Sequence, residues 1–373
     1  MRGKRGLRAL LAVLPLLGLT GCRKTFDFLP YARELEDMAL IRTMGVDAAG
    51  PEGVSVTVSS GEQSDGVVLL QKEAGTISGA CLSMQGEGAS YIFYGHVGQF
   101  LLGEDLARRG IGPALDYVLR DIEMRLETDV YLLRDAGAGE AVRAAAETGS
   151  ATRRLEAMEA DGGLLSYSMT RSVEDALEDL EENGCTFLPS LVLTGAEQAM
   201  EADGYGLIRA GKLAGWASGE AARGVNLLRG QVDADILELP GPGRAPIALR
   251  IVEAETQVEP IFEADELTGL SVVCRVEANL AESGGKTPDL AEPAAREPLE
   301  RALEERTEAR LRDALTLSQT LGGDFFHLEN RAARAAPWNK RRLEEQWDLS
   351  RLELRVRAEG TVRRGYDIRN KTD

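Results

Sequence analysis

Histidine is nearly missing from this chain: only His96 and His327 occur in 373 residues. Their scarcity removes the commonest source of general bases near neutral pH and of imidazole ligands for metal ions. Cysteine is almost as rare, with Cys22, Cys81, Cys185 and Cys274 far apart and no C-x-x-C pair. That spacing excludes a thiolate zinc site or a dithiol redox centre, and so long a chain does not depend on a disulfide framework. The sequence holds no H-E-x-x-H, no phosphate loop and no G-x-S-x-G elbow, and Gly137-Ala138-Gly139 lacks the third glycine of a dinucleotide fingerprint. Basic residues are outnumbered 43 to 61, and a net charge of -18 argues against a nucleic-acid partner, since a phosphate backbone needs a basic surface. These gaps leave no catalytic, cofactor-binding or metal-binding residue to nominate.

What the chain does have begins at its first residues. Arg2, Lys4, Arg5 and Arg8 precede an apolar run from Ala9 to Leu19, broken only by Pro15 and Gly18. This is the pattern of a secretory signal, and it is too short to span a bilayer, which takes about 20 residues as a helix. The run ends in Leu19-Thr20-Gly21-Cys22, which resembles the lipobox of bacterial lipoproteins, in which the cysteine takes a diacylglyceryl group and becomes the new first residue. Cys22 is therefore the expected lipidation site. Two acyl chains hold a protein stably at a membrane where one does not.

The mature chain is long enough for two to three domains. Residues 1–21 read as signal peptide, 22–30 as a lipid-anchored tether, 31–195 as an N-terminal α/β domain, 196–245 as a small middle domain and 246–373 as a C-terminal α+β domain. The fold class expected is α+β, multidomain, with a C-terminal antiparallel sheet covered by a long helix. Val54 to Ser59 alternates as a half-buried strand, with a turn before it at Asp47 to Gly53. Gly61 to Ser90 reads as irregular, Val97 to Arg109 as a helix, and a second helix starts at Pro113, where a missing N–H costs nothing. Strands follow at Val130 to Leu133 and Leu188 to Leu193, with helices at Ala141 to Ala160, where Gly149-Ser150 is a break point, and at Val173 to Glu182. Ser271 to Ala278 and Leu352 to Glu359 alternate apolar with charged, as in sheets covered on one face. Between them Leu299, Leu303, Leu311 and Leu315 lie at helical spacing.

The order of motifs resembles the Ger(x)C family, the C-subunit lipoproteins of spore germinant receptors. The residues that carry it are the lipobox ending at Cys22, Arg33-Glu34-Leu35-Glu36, Gly45-Val46-Asp47, Tyr94-Gly95-His96, Glu104, Ala107, Gly110-Ile111, Leu115-Asp116 and Arg120 to Arg125. It continues through Gly215-Trp216, Asp324, Trp338 and Trp347. Many members have Trp-Asp directly after the lipid cysteine, where this chain has Arg23 to Pro30. The resemblance implies three mixed α/β domains and a non-enzymatic lipoprotein, bearing palmitate-type acyl chains, that supports spore germination. It also implies a place on the outer face of the spore inner membrane beside integral-membrane receptor subunits of the A and B type, with no cofactor and no small-molecule ligand of its own.

Read as residues alone, the remaining candidates have plainer explanations. His96 is expected to be structural, His327 packed or at the surface, and Asp121 and Glu123 with Arg120 and Arg125 an ion-paired helix end. Trp338 and Trp347, near Lys340, Arg341 and Arg342, suit either a partner or headgroup contact or the closing edge of the last core. The segment from Arg331 onward holds 12 Lys and Arg against 7 Asp and Glu. The rival functions are a solute-binding lipoprotein of a transporter, which needs two lobes, and a surface hydrolase, which needs a carboxylate pair in a cleft.

Overall fold

In the computed structural model, residues 38–363 are described apart from 62–66, 88–89, 149–150, 161–165, 197–198, 233, 241–245 and 285–287. The lipobox and Cys22 lie outside the described residues. From Ala39 onward the chain forms one compact unit.

An eight-stranded mixed sheet carries the first two thirds. Its strands are β2 (Thr43–Ala49), β3 (Gly53–Ser59), β4 (Leu69–Ala74), β6 (Gln99–Leu102), β7 (Asp129–Leu133), β8 (Cys185–Thr194), β9 (Ala199–Arg209) and β10 (Lys212–Ala217), in the order β10-β9-β8-β7-β6-β2-β3-β4. The middle run from β2 through β6 and β7 to β8 is parallel and both margins are antiparallel. β1 (Met38–Leu40) and β5 (Tyr91–Phe93) form a separate short pair. One face of the sheet packs under α1 (Ile77–Gln85), α2 (Glu104–Arg109), α3 (Gly112–Arg120) and α6 (Val173–Asn183). The other face packs under α4 (Ala138–Thr148) and α5 (Ala151–Ala160).

Two expectations fail here for physical reasons. Residues 99–102 form a strand, not the start of a helix, because all four are buried in the parallel centre of the sheet, where no polar alternation marks a strand. The region 61–90 holds β4 and α1: Thr76 caps α1 by accepting from the Gly79 N–H at 3.1 Å, although Gly79 itself weakens the helical signal. The expected boundary at 195 falls between β8 and β9, so β9 and β10 extend the large sheet.

The C-terminal sheet contains β11 (Asp235–Pro240), β12 (Pro246–Glu263), β13 (Glu266–Ser283) and β14 (Glu353–Arg363). It is antiparallel through β13, and β14 then runs parallel to β13. The 29-residue α8 (Pro293–Leu321) covers it, burying Leu299, Leu303, Leu311 and Leu315 as their spacing predicts. α8 also packs on α7 (Glu220–Arg229), where a Cβ on Gly224 would come within 2.0 Å of the Arg310 carbonyl oxygen. Arg310, 3% exposed, bonds Asp235 at 2.5 Å and Glu220 at 2.9 Å, tying α8 to β11 and α7. After α8 come α9 (Leu328–Ala335) and α10 (Lys340–Gln346), which lead into β14.

Candidate interaction surface

The residues singled out in the sequence fall at several places in the fold. Asp47, at the end of β2, accepts the N–H groups of Ala138 and Gly139, each at 2.7 Å. Burial pushes its carboxyl above the usual range even though these two donors and Arg143 oppose the shift. The Gly137-Ala138-Gly139 turn therefore serves as the N-terminus of α4, and its anion is one of the chain's own side chains. Glu104 accepts the Asp135 N–H at 2.8 Å and pairs with Arg108; burial opposes these contacts, yet its carboxyl is held below the ordinary value.

Asp121 and Glu123 are not the expected ion-paired helix end. Asp121 takes the N–H groups of Glu123 (2.9 Å) and Met124 (3.3 Å). Glu123 takes the Tyr91 hydroxyl and the Tyr94 N–H, both at 2.8 Å. Arg120 turns back to Asp116 at 2.8 Å. These carboxylates brace the chain between β5 and α3. His96 is exposed, edge-on to Phe93 at 5.7 Å between ring centres.

His327 is the buried histidine. It sits at the N-cap of α9 with φ +56°, its Nε2 2.8 Å from Asp179 and its Nδ1 3.3 Å from Glu182. Asp179 also pairs with Arg171 and accepts the Thr186 hydroxyl at 2.7 Å. Burial works against both charges, but their mutual attraction prevails: His327 is shifted up, and Asp179, with Arg171 helping, is shifted down. Asp324 caps α9 by accepting from Leu328 at 2.8 Å and Glu329 at 2.9 Å. Asp179 lies with Val173 and Ala176 on the buried stripe of α6, so a carboxylate on an apolar face was the signal in the sequence for this cluster.

A cleft of ≈ 720 Å³ opens between the β2–β3 turn, the start of α1, the end of α2 and α3. Val54, Ile77, Leu106 and Tyr117, all buried, form its apolar floor. Arg109 reaches across one end and donates to the carbonyl oxygens of Gly50, Pro51 and Gly53 at 3.4, 3.3 and 2.6 Å. The motif residues Gly110, Asp116, Arg120 and Asp121 lie along its wall.

The three remaining thiols, Cys81, Cys185 and Cys274, are free and buried, and burial raises all of them, Cys274 to about 11. No group of three potential metal ligands occurs among the described residues. No helix among them is long and apolar enough to cross a membrane. Trp347 packs against the C-terminal core, whereas Trp338 is 80% exposed.

Comparison with known proteins places this arrangement. Residues 31–193 match the family described as spore germination protein N-terminal domain, and residues 203–366 match the family described as spore germination B3/GerAC like, C-terminal. The curated proteins gave no match. The structure is similar to the crystal structure of the GerBC protein, with a TM-score of 0.55 and 15% identity over 86% of this chain and 96% of that one. At that identity the likeness speaks for the fold. With both halves matched in order along one chain, the protein belongs to the Ger(x)C family, the C subunits of spore germinant receptors.

Proposed function

We propose that this chain is a non-enzymatic lipoprotein subunit of a spore nutrient receptor, acylated on Cys22. It is held on the outer face of the spore inner membrane, where it assembles with integral-membrane subunits of the A and B type. The observation that carries the reading is the order of parts: a charged start, an apolar run and a lipobox cysteine, followed by the two spore germination matches over 31–193 and 203–366. Anchoring raises the effective concentration of the body beside membrane partners, so modest interfaces suffice for assembly. The histidine and carboxylates raised as catalytic candidates are engaged in caps and ion pairs or stand alone at the surface, which fits a protein that works by contact.

Cys22→Ala should move the protein from the membrane pellet to the soluble fraction after cell fractionation, and nutrient-triggered germination of spores carrying only that variant should slow. Full membrane retention without acylation would sink the anchor.

A further inference from the structure

We propose that the cleft walled by α1, α2, α3 and the β2–β3 turn is a docking groove for an amphipathic helical segment of a protein partner, one with aliphatic anchors and a Lys or Arg beside them. The proposal rests on the reading that this subunit assembles with membrane proteins, and it names the surface and the chemistry of the contact.

Three observations carry it. The first is the lining. At ≈ 720 Å³ the space is large enough for several aliphatic side chains, and its floor is closed by the apolar side chains of Val54, Ile77, Leu106 and Tyr117, each 4–9% exposed. Interface hot spots sit in such apolar centres inside a polar rim. Here Pro51, Glu52, Thr76, Ser78, Pro113, Asp116 and Arg120 make the rim and are exposed.

The second is the lack of convergent recognition groups. A small-molecule pocket aims a few buried polar groups at its ligand. In this cleft the Tyr117 hydroxyl is taken up by the Cys81 thiol at 3.6 Å. Among the described residues, none of the buried side-chain polar atoms without a hydrogen bond belongs to the lining. The cleft therefore suits shape and apolar contact, the terms by which an amphipathic helix enters a groove.

The third is charge. Arg120 is paired with Asp116, whereas Arg109 donates to three backbone carbonyls and keeps its charge. Glu52 has no ion pair among the described residues, and Asp121 spends only Oδ1 on its turn. With Glu52 and Asp121 set against Arg109, the cleft lining carries a net charge of −1. Its complement is a basic side chain next to the anchors.

The test uses the full-length protein and a fluorescein-labelled helical peptide of Leu and Lys, with Leu at helical i, i+3, i+4, i+7 spacing, read by anisotropy. The Leu/Lys peptide should bind at least about tenfold more tightly than a Leu/Glu peptide of the same spacing. Ser78→Trp, which fills the mouth at constant charge, should weaken binding about tenfold, and Glu52→Lys should weaken it severalfold and flatten its salt dependence. Equal binding to wild type and Ser78→Trp would show general attraction to an acidic protein and overturn the groove, as would equal binding of the Leu/Glu peptide. A photo-crosslinker placed at Ser78 in native membranes then reports the occupant. Capture of an apolar segment with Lys or Arg from an integral-membrane protein supports the proposal, and capture of lipid or of a second copy of this chain overturns it. A groove that binds the peptide while wild type captures no membrane protein would instead count against the assembly reading.

Discussion

His327 shows how one residue can tie distant parts of a chain. Its ring faces Asp179 and Glu182 from α6, with Arg171, Arg229 and Asp324 acting on the same cluster, so it joins the first half of the chain to α9 in the second. Because its folded pKa lies above the ordinary 6.5, the native state holds the proton more tightly than the unfolded chain. The stabilisation is complete below the unfolded value and fades as pH rises through the folded one. Asp179 is shifted down from 3.8, so its contribution is present above that value and is lost as pH falls through the lowered one. The pair therefore stabilises most between these limits. His327→Gln should cost about 1–3 kcal/mol in urea denaturation near pH 5.5, and the gap from wild type should narrow by about pH 9. A gap independent of pH would mean that packing, not charge, is what the histidine supplies. The cluster was only faintly legible: Asp179 on a buried stripe signalled it, but nothing near residue 327 in the sequence names a partner 148 positions earlier.

At the scale of elements, α8 and β14 show a match of periods. Glu300, Glu304 and Glu308 on the helix accept the N–H groups of Val362, Gly360 and Ala358 at 3.2, 3.0 and 3.2 Å. Four helical residues rise about 6 Å and two strand residues about 6.6 Å, so a carboxylate every turn meets every second donor of the antiparallel-running neighbour. β14 is the margin of its sheet, and these glutamates cover an edge that would otherwise offer unpaired donors to another chain. Gly360 allows the approach, since a Cβ there would stand 3.0 Å from the Glu300 carbonyl oxygen. Replacing all three glutamates by alanine should cost about 1 kcal/mol per lost bond and produce concentration-dependent association in sedimentation. Glu304→Gln keeps an acceptor and should stay near wild type. Monomeric behaviour with unchanged stability in the triple variant would refute the edge-covering role. The apolar spacing of α8 and the alternation of β13 and β14 were legible because both elements have one wet face. The glutamate ladder was not, since in a chain with 61 carboxylates three more at i, i+4, i+8 look like a solvated stripe. β6 was misread for the opposite reason: buried on every side, it has no wet face to alternate with.

For the whole molecule, the two family matches meet between 193 and 203, yet the structure does not come apart there. β8 pairs with β9 from Cys185↔Arg209 to Thr194↔Ala199, while it meets β7 only at Leu132↔Ser190 and Leu133↔Leu191. Phe187 of β8 stacks edge-on with Tyr205 of β9 at 5.3 Å and with Phe326 at 5.9 Å, so one aromatic cluster draws on both matched halves. The core that contains these rings runs on through α7 and α8 into the C-terminal sheet. A fragment ending at residue 194 would leave β8 with its short pairing to β7 and a bare apolar margin, which is a template for aggregation. Such a fragment should be insoluble or molten when expressed alone, and co-expression with the remainder should recover a native near-ultraviolet spectrum. The full chain should melt in one calorimetric transition, because opening the β8–β9 seam exposes core on both sides at once. Two resolved transitions, together with a soluble N-terminal fragment of native spectrum, would show that the halves are separate folding units that merely share a sheet.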